Sequence, residues 1–490
     1  MKEKNPANRV LFMNTLAFAV CFAAWTLYGV LITYLIDHHV VALDKSQIGW
    51  LLGAPVLTGS LFRLPVGMLT DRFGGKPVYV GVMLLSAVAM FLTSFASNFT
   101  GFLVGGLAFG LAGASFAVGV AYTSVWFPKN RQGTALGLFG MGNIGTAFTA
   151  IGAPHILDSV TNKGASIEGW RLLPQIYAYA LVGMAILFAI LTVPSRLEGP
   201  PKTLSEMLQP LRILRVWRFG LYYFVVFGGF VALAQWLIPY YLNAYGMTLA
   251  AAGLMATLFS LPSALTRAVG GFLSDRIGAR TTLYFVLSGV TVLFLLLVAP
   301  RMDITSPGEG IMADKGGAVT EVQPDKVVAA GVTYAVKLQP PVDPSINSKT
   351  LVWPTFSSWQ EPIVKVGDQV KRRQVLARGI THVFFQANQY VFTAILLLAG
   401  VLMGLGMAAV FKHIPEYFPR DVGVVGGLVG VLGGLGGFVF PILFGYLLKA
   451  TGLWTSCWLL LAFLAVISLV WMHLAILRME HRRGTPEAES

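Results

Sequence analysis

Charge is what this sequence has least of. Of 490 residues, 12% are Asp, Glu, Lys or Arg and 56% are hydrophobic, where a water-soluble domain carries roughly 25% charged residues. That shortfall argues against a soluble globule, and the apolar fraction is too high for a disordered or collagen-like chain. Cysteine is nearly absent too. Cys21 and Cys457 both fall inside apolar runs, which leaves neither a disulfide framework nor a CxxC metal site. No nucleophile motif, metal cluster or phosphate loop is present to suggest an enzyme, and nothing asks for a cofactor or a metal. The chain is basic, with 35 Lys and Arg against 22 Asp and Glu, a net +13, and a pI near 9.7. In a soluble protein that balance suggests nucleic acid. Here the basic residues sit at the ends of apolar segments, so the expected partner is a lipid bilayer and no nucleic acid.

A hydrocarbon core of about 30 Å is crossed by about 20 helical residues. Apolar runs of that length fall near 11–36, 48–73, 77–97, 100–127, 132–157 and 172–195, and again near 219–244, 248–275, 280–300, 389–415, 422–448 and 453–477. The first is too long for a signal peptide and has no small-residue cleavage site, so it reads as a span. Lys and Arg gather at one set of ends, including Arg9, Arg72, Lys76, Arg215, Arg218, Arg276 and Arg280. The opposite short loops hold only Lys45, Lys163, Arg171 and Lys449. By the positive-inside rule both termini are cytoplasmic. The expected organisation is a six-helix bundle over 1–195, a cytoplasmic linker over 196–218, three helices over 219–300, a periplasmic insert over 301–388, three helices over 389–477, and a cytoplasmic tail over 478–490. Within the insert, the run Pro362 to Ala377 alternates apolar and polar residues around Gly367-Asp368, a hairpin signal. It resembles the half-motif of lipoyl-like barrel domains, with no modified-lysine hairpin beside it. A small β-rich elaboration is expected.

An internal repeat organises the helices. Arg63, Gly67, Leu69, Asp71, Arg72, Gly74 and Lys76 recur as Arg267, Gly271, Leu273, Asp275, Arg276, Gly278 and Arg280, at a constant offset of 204. A duplicated six-helix unit with this turn resembles the major facilitator superfamily, which implies an all-α membrane fold of twelve helices in two pseudo-symmetric bundles. Asp71, Arg72, Asp275 and Arg276 are the expected gating residues, the carboxylates gaining from a helix dipole. As ordinary turn formers beside glycine they would look the same in sequence.

Arg63 and Arg267 stand eight residues before the turn aspartates, about 12 Å up a helix and so near the midplane. A charge there costs about 3 kcal/mol or more and ordinarily has a partner. No Asp or Glu lies in the middle of any span; Asp71, Asp158, Asp275 and Glu416 are near helix ends. Snorkelling to an interface would account for one arginine. Two at equivalent repeat positions point to a mobile anion that both hold, and the guanidinium fork suits a planar oxyanion. The fifth and eleventh runs are dense in glycine, from Gly133 to Gly145 and from Gly426 to Gly437. Within the first, Asn143 is a neutral donor at the arginine level.

Two glycine-rich signatures, with one arginine in the second helix of each half, resemble the nitrate/nitrite porters of the major facilitator superfamily. The resemblance implies a secondary transporter in which Arg63 and Arg267 clamp the anion and Asn143 and Tyr223 hydrogen-bond it. Phe116 and Phe411 lie against its faces, and Gly427 and Gly430 let backbone approach. Such a slot fits flat, singly charged nitrate and rejects tetrahedral dianions. Lys412, just after Phe411, is the coupling candidate, and the wording of the fifth helix leans to nitrate/proton symport. The alternatives are nitrate/nitrite antiport and an oxalate- or formate-like organic-anion exchanger; a receptor built on the insert is a further rival. The expected partners are nitrate, nitrite and protons, and the chain is expected to act as a monomer.

Overall fold

The computed structural model describes residues 6–127, 129–194, 203–298, 301–340, 355–386, 388–418 and 422–484. Residues 196–202 of the expected linker, 341–354 of the insert and 485–490 of the tail lie outside the described residues. The chain forms two compact units, one of Met1–Leu296 with Thr393–Ser490, the other of Leu297–Phe392.

Among the described residues of the first unit, twelve helices are long and apolar enough to cross a membrane: α1 (Ala7–Asp37), α2 (Lys45–Phe73), α3 (Gly75–Thr93), α4 (Phe99–Trp126), α5 (Thr134–Val160), α6 (Ile167–Leu191), α7 (Leu214–Tyr245), α8 (Leu249–Ile277), α9 (Ala279–Leu297), α10 (Gln389–Ile414), α11 (Val424–Thr451) and α12 (Ser456–Met479). The protein is thus a multi-pass membrane protein. Both repeated turns close on a glycine in a conformation that side chains disfavour, Gly74 at φ 89° and Gly278 at φ 86°. The 204-residue offset is therefore a repeat of backbone shape as well as of letters.

Several of the long runs are not continuous α-helices. α2 breaks at Phe62, so Arg63 opens its second segment. α4 tightens into a 3-10 turn at Gly110–Ala114, and α5 does the same at Met141–Ile144. α7 widens into a π turn at Phe224–Gly228. Departures of this kind inside a helix concentrate at functional sites. At the two 3-10 turns glycine packs closely on a neighbouring helix: Gly110 on the backbone of Pro55, and Gly142 on the ring of Phe18.

On the face opposite the turns, the two halves touch closely. Gly53 of α2 meets the Phe438 carbonyl of α11, where an added Cβ would stand 2.8 Å away, and Gly49 and Gly445 meet Pro441 and Lys45. Gly29 of α1 lies against Gln235 of α7, and Gly253 of α8 against Ala150 of α5. Lys449 adds an ion pair to Asp44 at 3.1 Å. Glycine lets these backbones approach where any side chain would hold them apart.

The second unit is a β structure. β1 (Arg301–Met312), β7 (Val375–Gln386) and β5 (Thr355–Pro362) form one sheet in the order β1-β7-β5. β4 (Val332–Ala335), β3 (Lys326–Ala329), β2 (Gly317–Gln323) and β6 (Gln369–Val370) form another, in that order. Val319, Val327, Val364, Val370 and Leu376 belong to its core. The expected hairpin about Gly367-Asp368 closes at its base but opens near the turn. The turn exists, with Gly367 at φ 94° and the Lys365 amide donating to Asp368 at 2.8 Å, and the outer ends of its arms pair, Pro362 with Ala377 and the Ile363 amide donating to the Leu376 carbonyl at 3.0 Å. Next to the turn, Gln369 and Val370 pair instead with Ala318 and Gly317 of β2, which places Val370 in the core.

Candidate anion site between the two halves

Arg63 and Arg267 are 3% and 5% exposed, so neither snorkels to an interface. Arg63 donates one Nη1 hydrogen bond to the Gly430 carbonyl of α11 at 2.5 Å. Its Nε and Nη2, the side edge of the fork, are buried without a hydrogen-bond partner. Arg267 donates from Nη2 to the Tyr223 hydroxyl at 3.3 Å, and its Nη1 has no partner. Among the described residues, neither guanidinium is ion-paired with a carboxylate. Each unmade hydrogen bond at a buried donor costs about 1–3 kcal/mol, and more at a charged one.

The aromatic groups surround these cations. Arg63 Cζ is 5.1 Å and Arg267 Cζ 5.3 Å from the centroid of the same ring, Phe116. Arg63 also lies 5.3 Å from Phe227. Phe411 stands 6.2 Å from Phe116 and 5.0 Å from Tyr223. Cation–π attraction of about 1–2 kcal/mol per contact offsets part of the desolvation. It supplies no hydrogen bond to the free donors.

Glycine sets the distances. Gly140 of α5 packs on Arg267, where an added Cβ would be 2.8 Å from Nε, and Gly433 packs on the Tyr223 ring. A Cβ at Gly430 would stand 3.5 Å from Arg63 Nη1. At Gly427 nothing lies within 4 Å of where its Cβ would be. Asn143 is fully buried in the 3-10 turn of α5. Its Nδ2 donates weakly to Met407 Sδ at 3.9 Å, and its Oδ1 is unpartnered.

The expected gating residues lie apart from this pocket. Arg72 and Arg276 are exposed, and Arg72 rests over Phe73. Asp275 forms an ion pair with Lys412. That pair ties α8 to α10 inside one half and occupies the coupling candidate with a partner. Sequence reasoning missed Phe227, Met407 and the cluster of Phe18 and Phe139 behind Phe116, with ring centroids 5.5 Å and 5.8 Å from it. With 33 phenylalanines in the chain, no sequence signal separates these from lipid-facing ones.

The profile of the Major Facilitator Superfamily matches residues 15–310 and 375–490. The chain is 37% identical over 484 residues to a probable nitrate/nitrite antiporter, NarK1, of Thermus thermophilus, covering 98% of this chain and 94% of that one. It is 27% identical over 467 residues to a nitrite extrusion protein of Bacillus subtilis, at 94% coverage of both. A probable nitrate/nitrite transporter, NarK2, of Mycobacterium tuberculosis is 32% identical over 303 residues, or 60% of this chain and 74% of that one. In three dimensions the chain is similar to a bacterial homolog of the human lysosomal transporter Spinster, with a TM-score of 0.61 at 15% identity, covering 96% and 97% of the two chains. This protein belongs to the nitrate/nitrite porter family of the major facilitator superfamily.

Proposed function

We propose that this chain carries nitrate, and nitrite with it, across the bacterial cytoplasmic membrane by alternating access around Arg63 and Arg267, with both termini cytoplasmic. One observation carries the reading: the buried Nε–Nη2 edge of Arg63 has no partner, and such an edge matches two oxygens of a planar oxyanion. Nη1 of Arg267 supplies a further donor, with Asn143 and Tyr223 beside it. Phe116 and Phe411 form walls against which a flat ion lies. The close contacts on the face opposite the turns are the closed gate on that side, and the turn residues Asp71, Arg72, Asp275 and Arg276 serve the other. The names borne by the relatives agree in substrate.

For coupling, we favour exchange. An empty site leaves two buried cations unneutralised, which disfavours return without an anion. Symport is the second reading, supported by the wording of the fifth helix and by Lys412, whose ion pair with Asp275 would have to open to take part. Uptake of nitrate into proteoliposomes discriminates. Exchange expects internal nitrite to drive uptake and a pH gradient to do little; symport expects the reverse. No uptake under either condition sinks the whole reading.

A further inference from the structure

We propose that the second half contains a separate phosphate-group site, at its end on the turn face. Four helices, α7, α9, α10 and α12, meet there around a small cavity, and neither α9 nor α12 contributes to the surroundings of Arg63 and Arg267 described above. Its basic wall is Arg215 and Arg218 from the first turns of α7 and Arg280 from the first turn of α9, with Tyr417 at the last turn of the helix that continues α10. Tyr417 organises two of them. Arg215 Cζ stacks 4.3 Å from its ring centroid, and Arg280 donates to its hydroxyl at 3.3 Å. Arg218 Nε is buried without a hydrogen-bond partner. Among the described residues the lining contains no carboxylate; nearby Glu416 is engaged by His413 at 3.3 Å.

Arg215 and Arg218, with Arg280 held on Tyr417, line a cavity without a carboxylate among the described residues, and such a field concentrates anions. Forked donors around one cavity suit the oxygens of a phosphate. The α12 side of the lining is apolar, formed by Met472, Ile476 and Met479, with Arg215 Nη2 reaching Met479 Sδ at 3.9 Å. Basic and apolar residues side by side in one lining fit a phosphodiester with hydrocarbon beside it, as in the headgroup of an anionic glycerophospholipid. Free phosphate shares the first chemistry and not the second.

Thermal unfolding of the purified full chain in detergent, without nitrate, tests this. Phosphatidylglycerol, phosphatidylcholine and inorganic phosphate are titrated separately against wild type, Arg218→Lys and the double variant Arg215→Gln/Arg218→Gln. Binding to the folded state raises the melting temperature saturably. We expect phosphatidylglycerol to do so for wild type, with affinity about fivefold weaker for each guanidinium removed, and phosphatidylcholine to have little effect. Arg218→Lys, which keeps the charge, should lie between and carries the test should the double variant fail to fold. Saturable stabilisation by inorganic phosphate that weakens in the variants assigns the site to the free ion. An equal response of wild type and variants to both anions, or no response to either, overturns the proposal.

Discussion

Replacing Arg63 by lysine keeps the positive charge and removes the fork. In the native side chain, Nη1 is committed to the Gly430 carbonyl at 2.5 Å while Nε and Nη2 are free. A single ammonium at the end of a flexible stem serves either the carbonyl or the anion, and offers no two parallel donors. The variant therefore forfeits at least one charge-assisted hydrogen bond to nitrate, worth about 1.5–3 kcal/mol. Since 1.4 kcal/mol is a factor of ten, binding should weaken about 10- to 100-fold, and transport at low nitrate should be abolished. Calorimetric titration of purified protein, paired with uptake in proteoliposomes, reads both quantities. Because the charge is retained, a purely electrostatic attraction would survive the change. Near-native affinity in Arg63→Lys, and likewise in Arg267→Lys, would refute the bidentate clamp.

Tyr223→Phe removes the hydroxyl that accepts from Arg267 at 3.3 Å; an uptake KM about fivefold higher is expected, with the protein still folded. Gly140→Ala sets a methyl 2.8 Å from Arg267 Nε, and displacing that side chain should cost about 1–3 kcal/mol, seen as weaker nitrate binding by calorimetry. Asp44, outside the spans, has its carboxyl held well below the usual carboxylate range by the Ser46 hydroxyl, the Gln47 amide and the Lys449 ammonium. A depressed pKa contributes stability in full above the unfolded value of about 4 and loses it progressively as pH falls from there through the lower folded value, so melting curves of wild type and Asp44→Ala should converge only in strong acid. At neutral pH the variant should be less stable by about 1 kcal/mol, the usual loss at a helix N-cap. Deleting 301–388 with a short Gly/Ser bridge should leave nitrate uptake measurable, because the β unit has a core of its own; loss of uptake in a correctly inserted protein would make the insert part of the transport cycle.

The twelve spans were legible because hydrocarbon imposes a length and a polarity on each segment, and both are local properties of the letters. The two arginines stood out for the same reason: a charge mid-span is rare enough to be noticed without coordinates. Legibility ended where long-range contact decides. Nothing local in the glycine-rich run marks Gly430 as the residue whose carbonyl takes the Arg63 hydrogen bond. The sequence hairpin at Gly367-Asp368 closes where Pro362 meets Ala377, yet next to the turn Gln369 and Val370 pair with β2 instead. Lys412 was visible as a cation, but its attachment to Asp275 depends on how α8 and α10 pack. By itself, then, the order of residues determined what lipid can accept: how many helices there are, where the chain doubles, and that two guanidiniums are buried. Only the packing of distant helices decided which donors stay free and which rings stand over them, because residues hundreds of positions apart must meet before any such distance exists.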